Sequence, residues 1–372
     1  MKKIGIITIH KIYNYGSVLQ AYALQNVCES MGYIVEIIDY KFPNEYHRTK
    51  SNTKSVVLLS FKEKLIKYLF LWKLYLQHKL IRRFVYKYLN LSKEEYLSPQ
   101  QLKDEPPIYD IYITGSDQVW NPRYCCGDTS FLLEFVRDGI KISYSASIGS
   151  SDIDRAYYDI YSVMLEKYAY ISVRERSGRN LVERLTRKNV EVVLDPTLLL
   201  TAEQWNHIAT NKPLVKGKYI LCYFLNYSFN AFPYVYELAE YMQKEMDCSI
   251  VWVARPPYRI NRNVISYVDA SPEDFLALIR DSEMVLTTSF HGTAFAINYN
   301  KPLFSVVEDK NALDSRQIDL LSSLSLDNRI LSLGDKFPDK KDFVCNYELA
   351  EEKLKELRIH SYSYLKNSLA HV

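Results

Sequence analysis

Glycine is scarce in this chain: 372 residues hold only 11, with 13 prolines. That excludes a collagen-like repeat or a low-complexity linker protein. Cysteine is scarcer, at six, with no C-x-x-C spacing and no Cys/His cluster resembling a zinc site. A disulfide framework is excluded, and a reducing cytoplasm is the expected setting. Long apolar runs are missing too. The longest uncharged stretch, residues 219–236, is broken by Asn226, Ser228, Asn230 and Pro233. At the start, Lys2 and Lys3 precede an apolar stretch of residues 4–9 only, too short for a secretory leader and suited to a buried strand. The net charge of +3 is too weak to argue for nucleic acid, and none is expected as a partner.

What is present is core-forming material. The chain is 48% hydrophobic, and its length suits two domains. Its 32 tyrosines offer flat apolar faces with polar tips, fit for sugars or interfaces, although the codon bias of an AT-rich genome explains them more simply. Strand and helix signals alternate. Residues 4–9 read as a strand. Asn14 and Gly16 mark a turn, Ser17 is the expected N-cap of a helix over 18–31, and Gly32 stops it before a strand at 33–39. Further strands are expected at 109–114, 140–147, 170–174 and 190–194. After Pro196 the pattern repeats, with strands at 219–225, 249–254, 284–287 and 302–307. Ser271-Pro272-Glu273 opens a helix as N-cap and first turn, and a charged helix closes the chain at 346–367. This predicts an α/β protein: two Rossmann-like domains facing a cleft, with a C-terminal closing helix. The domains are drawn at 1–196, 197–345 and a final helix at 346–372, with a basic helical insertion at about 56–92.

That insertion stands out. Residues 61–90 hold eight Lys/Arg and one acid, Glu63, a net +7, while Leu65, Leu69, Trp72, Leu76, Leu80 and Phe84 recur at helical spacing. A basic aromatic helix suits an anionic membrane surface, here as a peripheral contact at the inner leaflet. The plainer reading is a helix that covers a domain and exposes its lysines.

Three stretches could carry chemistry. In Thr287-Thr288-Ser289-Phe290-His291-Gly292 a strand runs into hydroxyl residues and then a helix start, where amide N–H groups favour an anion. His291 would stand beside it as a proton donor, and a structural capping segment is the alternative. In Ser172-Val173-Arg174-Glu175-Arg176-Ser177, planar Arg174 follows a strand and suits a carboxylate or phosphate, whereas Glu175 or Arg176 reads as first-turn surface. In Gly115-Ser116-Asp117-Gln118, Asp117 could accept a proton or bind sugar hydroxyls, or simply cap a helix. Asn14, Tyr15, Gly16, Ser17 and Gln20 would line the same region, and Asp195 reads as a linker residue.

Taken in order, these stretches resemble the polysaccharide pyruvyl transferase family. The matching segments are N-Y-G-S-V-L-Q-A-Y-A-L at 14–24, G-S-D-Q-V-W-N at 115–121, S-Y-S-A-S-I-G at 143–149, S-V-R-E-R-S at 172–177, L-D-P-T-L-L-L at 194–200 and T-T-S-F-H-G-T-A-F-A at 287–296. The resemblance implies a GT-B-like fold, phosphoenolpyruvate as co-substrate, no cofactor and no metal. It implies transfer of pyruvate as a ketal onto two hydroxyls of a sugar, with phosphate released, in building a capsule or exopolysaccharide. A lipid-linked oligosaccharide is a fitting acceptor, with galactose or N-acetylmannosamine as the sugar. The resemblance makes the first domain the acceptor side and the second the phosphoenolpyruvate side. It makes His291 and Asp117 catalytic. Arg174, Arg176, Thr288, Ser289, Phe290 and Gly292 fall to the donor. Asn14, Tyr15, Gly16, Ser17, Gln20, Ser116, Gln118 and Asn121 fall to the acceptor. One position departs: many members carry Arg two residues before the His, and here it is Ser289. Thr288, Ser289, Arg176 or Arg255 are the expected substitutes.

Two other functions compete. A nucleotide-sugar glycosyltransferase would need an acid placed for ribose, and neither Glu273 nor Glu308 sits in a convincing motif. A non-catalytic glycan-binding protein would be favoured by loss of His291 or Arg174, and both are present.

Overall fold

The computed structural model describes residues 1–41, 61–226, 229–253, 264–312 and 315–370, with no side-chain detail at 61–67 and 69. It divides into two compact units: Met1–Leu59, Arg82–Leu199 and Glu356–Val372 form the first, and Ser60–Ile81 and Leu200–Lys355 the second. The linear division drawn after Pro196 thus falls three residues early. The basic helix and the final helix are each divided between units, at Ile81/Arg82 and at Lys355/Glu356.

The first unit is built on strands β1 (Lys3–Ile7), β2 (Ile34–Tyr40), β3 (Leu91–Tyr96), β4 (Ile111–Thr114) and β5 (Ile140–Ser143), ordered β3-β2-β1-β4-β5. All are parallel. Strands β6 (Ile171–Val173) and β7 (Val190–Val192) form a parallel pair, and single bridges such as Ile142 to Tyr170 join it to β5. The second unit has β8 (Tyr219–Tyr223), β9 (Ser249–Val253), β10 (Val264–Ser266), β11 (Met284–Thr287), β12 (Leu303–Val307) and β13 (Ile330–Ser332), ordered β10-β9-β8-β11-β12-β13 and parallel throughout. In each sheet the order runs outward from the first strand and then reverses. That is the doubly wound Rossmann pattern, whose switch point lies between β1 and β4, and between β8 and β11. The central strands are apolar without alternation because both faces are buried; β4, β8 and β11 are buried at every residue.

Among the described residues, helices of eight residues or more are α1 (Tyr15–Ser30), α2 (Phe61–Tyr88), α3 (Tyr158–Leu165), α4 (Arg176–Leu185), α5 (Tyr234–Met246), α6 (Pro272–Arg280), α7 (Phe290–Asn298), α8 (Arg316–Ser323) and α9 (Glu348–Ala370). Ser271 caps α6 as expected, with Asp274 completing a capping box. The cap of α1 is Asn14, not Ser17. Asn14 Oδ1 accepts from the Gly16 and Ser17 amides, which starts the helix three residues early and frees the Ser17 hydroxyl for another partner. The sequence reading missed β3, because Leu91-Ser92-Lys93-Glu94-Glu95-Tyr96 is a polar edge strand with four residues at least partly exposed. The expected strand at 140–147 ends at Ser143, and its continuation contributes only isolated bridges from Ala146. No helix of the described residues is long and apolar enough to cross a membrane.

Helix α9 serves both cores. Just before the helix, Tyr347 donates to the Lys301 carbonyl of the second unit at 2.7 Å. Farther along, Arg358 donates to the Leu198 carbonyl at 2.6 Å and Ser361 Oγ accepts from the Leu194 amide at 2.9 Å, both in the first unit.

Candidate functional site

In the first unit the carboxyl ends of β1, β4 and β6 gather a buried polar cluster. Strand β4 ends at Thr114, and the chain turns through Gly115 at φ +125°, a conformation that suits glycine; a Cβ there would also overlap the Tyr144 carbonyl. Ser116 is fully buried. Its amide donates to Gln20 Oε1 at 3.1 Å, and its hydroxyl reaches the Ser145 carbonyl at 2.8 Å and Asp195 Oδ2 at 3.2 Å. Gln20 in turn donates to Thr8 Oγ1 at 2.8 Å. Asp117 adopts φ +71°, a left-handed conformation that is strained for a non-glycine residue. Its Oδ2 accepts from the Ser17 hydroxyl at 2.7 Å and its Oδ1 from the Gln118 amide at 2.9 Å.

Arg174 follows β6 and is buried among three carboxylates. Its Nη1 donates to Asp195 Oδ2 at 2.8 Å, while Nε stands 3.7 Å from Glu175 Oε2 and Nη2 3.7 Å from Asp117 Oδ1. Burial lowers the Arg174 pKa, but Asp195, Glu175 and Asp117 carry it above its ordinary value. The guanidinium therefore stays charged. Glu175 Oε1 accepts from Ser147 Oγ at 2.6 Å and from the Ile148 and Gly149 amides at 3.0 Å each, and Asp195 Oδ1 accepts from Thr197 Oγ1 at 2.8 Å.

This corrects three expectations. Glu175 is not surface, since it is 1% exposed and pins the 147–149 turn, whereas Arg176 is exposed at the start of α4. Asp195 is not a bare linker residue; it is the closest carboxylate to Arg174. Arg174 does not stand open as an anion clamp. Its charge is already met by carboxylates of its own unit. A signal for the Asp195 partnership was available: L-D-P-T sets an acid at a strand end in the same unit as the strand-end arginine.

The expected acceptor residues divide. Tyr15, Gly16, Ser17, Gln20 and Ser116 are buried, and Asn14, Gln118 and Asn121 are partly exposed. Asn121 donates from its side-chain amide to Gln118 Oε1 at 2.9 Å, and its Oδ1 accepts from the Tyr124 amide at 3.2 Å. A neighbouring group went unread in the sequence. His10 at the end of β1 is buried, with Nδ1 3.0 Å from the Thr8 carbonyl and Nε2 3.2 Å from Asp39 Oδ1. Lys11 reaches Asp39 at 2.5 Å and Glu95 at 2.6 Å. Burial would raise the Asp39 carboxyl, but His10 and Lys11 hold it below its ordinary value.

In the second unit the switch point carries residues 287–292. The Thr287 hydroxyl donates to the Tyr223 carbonyl at 2.7 Å. The Thr288 hydroxyl accepts from the Leu225 amide at 2.7 Å and donates to its carbonyl at 3.0 Å. Together they lace the ends of β11 and β8. Ser289 is the N-cap of α7, its hydroxyl accepting from the Gly292 amide at 3.4 Å. A Cβ on Gly292 would strike Thr287 Oγ1, so the first turn of α7 closes directly over the strand end. Phe290 and His291 are 5% and 6% exposed, their rings 5.3 Å apart and edge to face at 84°. The Thr288 hydroxyl is engaged within the fold both as donor and as acceptor, and the Ser289 hydroxyl accepts from the helix start. Arg176 belongs to the first unit, and Arg255 lies outside the described residues. Among the described residues no three His, Cys, Asp or Glu side chains are grouped so as to hold a metal ion.

Comparison with solved structures matches this architecture. A protein from Listeria monocytogenes described as a UDP-N-acetylglucosamine 2-epimerase aligns at TM-score 0.54 and 8% identity, covering 98% of this chain and 90% of that one. Arabidopsis thaliana UGT89C1 complexed with UDP aligns at TM-score 0.50 and 12% identity, covering 100% and 99%. The S. aureus MnaA–UDP complex aligns at TM-score 0.50 and 12% identity, covering 98% and 91%. At such identities the likeness is one of fold: two Rossmann-like domains of the GT-B glycosyltransferase and epimerase type. A search of curated protein sequences found no match. The family model for polysaccharide pyruvyl transferase matches residues 14–310, a span that takes in α1, β4, β6 and the switch point of the second sheet with their strand-end segments, and the chain belongs to that family.

Proposed function

We propose that the chain transfers pyruvate from phosphoenolpyruvate to two hydroxyls of one sugar residue in a bacterial surface-polysaccharide precursor. The observation that carries this reading is the placement of the family segment at 287–292. His291 stands in the first turn of α7, at the strand-order reversal of the second sheet, where a doubly wound fold receives its ligand. The α7 N-terminus favours the donor's phosphate or carboxylate. His291 gives a proton to the methylene carbon of the donor, which becomes the methyl group. C2 then carries oxocarbenium-like charge. A sugar hydroxyl adds its oxygen to C2 and gives up its proton to a general base. The C2–O bond to phosphate breaks, phosphate leaves, and a second hydroxyl adds to C2 with loss of its proton, closing the ketal.

In the first unit Asp117 is the proposed base for the acceptor, with Ser17 and Arg174 as its positioning residues. The acceptor class is a sugar with two hydroxyls close enough to close one ring, such as the 4,6 pair of galactose, carried on a lipid.

Thermal unfolding of the full chain with phosphoenolpyruvate, UDP and UDP-sugars side by side tests the donor. A ligand at a hundred times its Kd stabilises the native state by about 2.7 kcal/mol, a shift that is readily seen. A rise in Tm with phosphoenolpyruvate alone, lost in His291→Ala, is the expected result. A rise with UDP and none with phosphoenolpyruvate would move the reading to a nucleotide-sugar glycosyltransferase, which the same fold accommodates.

A further inference from the structure

Helix α2 has a face that the proposed reaction does not use. At 100° per residue, Tyr68, Leu71, Trp72 and Tyr75 fall on one stripe, and Lys79, Arg82, Arg83 and Tyr86 continue it toward the C-terminal end. The aromatic and apolar members are open to solvent: Tyr68 66%, Leu71 51%, Trp72 53%, Tyr75 59% and Tyr86 62%. Lys79, Arg82 and Arg83 are exposed as well. The Trp72 and Tyr75 rings lie 5.8 Å apart and form one aromatic surface.

The opposite side of the helix already meets its packing needs. Gln77, Ile81, Phe84 and Val85 are buried, and Phe84 meets Tyr22 edge to face at 6.0 Å. Lys73, on the flank, donates to the Ser266 carbonyl at 3.2 Å and pairs with Asp269 at 3.3 Å. The outer stripe is therefore a second apolar surface, not the core face of an amphipathic helix.

Its charge is of one sign. From residue 64 to residue 93 the chain holds no Asp or Glu. A second copy of the chain would set this acid-free stripe against itself, with no carboxylate to meet the cations. A bilayer with anionic headgroups meets both halves of the pattern. Rings of Trp and Tyr rest at headgroup depth, and Lys and Arg pair with lipid phosphate.

We infer that the stripe over residues 68–86 of α2, about 27 Å long, is a docking surface for an anionic membrane. The helix lies on the surface rather than crossing it. The inference is independent of the reaction proposed above.

The chain carries its own reporter. Of its four tryptophans, Trp120, Trp205 and Trp252 are at most 1% exposed, and Trp72 alone faces solvent. The full chain is mixed with phosphatidylcholine vesicles, with and without phosphatidylglycerol. On the anionic vesicles, Trp72 emission should shift to the blue and be quenched by brominated lipid. High salt should reverse the binding. Lys79→Glu/Arg82→Glu/Arg83→Glu should weaken partitioning by about a hundredfold. Trp72→Phe should lose the optical signal yet still sediment with vesicles. Circular dichroism checks that the variants are folded.

No blue shift and no co-sedimentation at low salt would overturn the assignment, as would a charge-reversed variant that partitions like the wild type. Binding to duplex DNA with no binding to vesicles would overturn it in favour of a polyanion site. A dimer that Trp72→Glu/Tyr75→Glu converts to monomer, without vesicle binding, would make the stripe a face between copies.

Discussion

Arg174 Nη1 donates to Asp195 Oδ2 at 2.8 Å, with both side chains withdrawn from solvent. The pair ties the segment after β6 to the segment after β7, and Asp117 stands 3.7 Å from the same guanidinium. Breaking a buried pair by removing one partner leaves an uncompensated charge and costs about 3–5 kcal/mol. Arg174→Ala, which leaves Asp195, Glu175 and Asp117 without their shared cation, should therefore lower the unfolding free energy by about that much, read by urea denaturation. A loss under about 1 kcal/mol would mean that the pair is solvated in solution.

The division of labour between His291 and Asp117 can be read from kinetics. His291→Ala should reduce phosphate release from phosphoenolpyruvate by about 10²–10⁴-fold with circular dichroism unchanged. Asp117→Asn keeps the shape and removes the base, so kcat should fall while the KM for phosphoenolpyruvate stays near the wild-type value. Near-normal turnover in His291→Ala would remove its general-acid role.

Ser289 separates a capping role from a donor-binding one. Its hydroxyl already accepts from the Gly292 amide. Ser289→Ala should cost about 1 kcal/mol of stability, as the loss of an N-cap does, with the donor KM unchanged. A several-fold rise in that KM with no loss of Tm would make Ser289 a donor ligand instead.

A pH signature belongs to Lys141. Its ammonium is buried beneath the first unit's sheet, donating to the Leu133 carbonyl at 2.8 Å, and burial lowers its pKa from 10.5 to about 8. The charged form is penalised only in the folded chain. Above pH 8 the folded chain sheds this proton while the unfolded chain keeps it until about 10.4, so the penalty shrinks and stability rises with pH across that window. Between pH 8 and 10 the wild type should gain stability relative to Lys141→Met, measured by denaturation at each pH. A constant difference would place the Lys141 pKa at its ordinary value.

The α/β alternation was legible because it rests on local chemistry. The apolar run at 284–287, the hydroxyl cap and the helix start after it occupy consecutive residues, and the structure keeps them as β11 and α7. Ser271-Pro272 announced α6 for the same reason. Legibility failed where the pattern was weak: β3 is polar because it lies at a sheet edge, and Asn14 outcompeted Ser17 as a cap once the loop set its backbone extended.

What the sequence determined by itself was the alternation of elements, the ordered family segments and the basic aromatic character of α2. All of these follow from the order and spacing of neighbouring residues. What only the tertiary structure decided was partnership. Ser17 meets Asp117 across 100 residues, and Gln20 meets Ser116 across 96. Arg174 takes its charge compensation from Asp195, and the far side of α2 is left open to solvent. Parallel strands are joined by crossovers, so their carboxyl ends assemble from distant segments. The periodicity of a segment records which face is buried, and the sheet order records what meets it there.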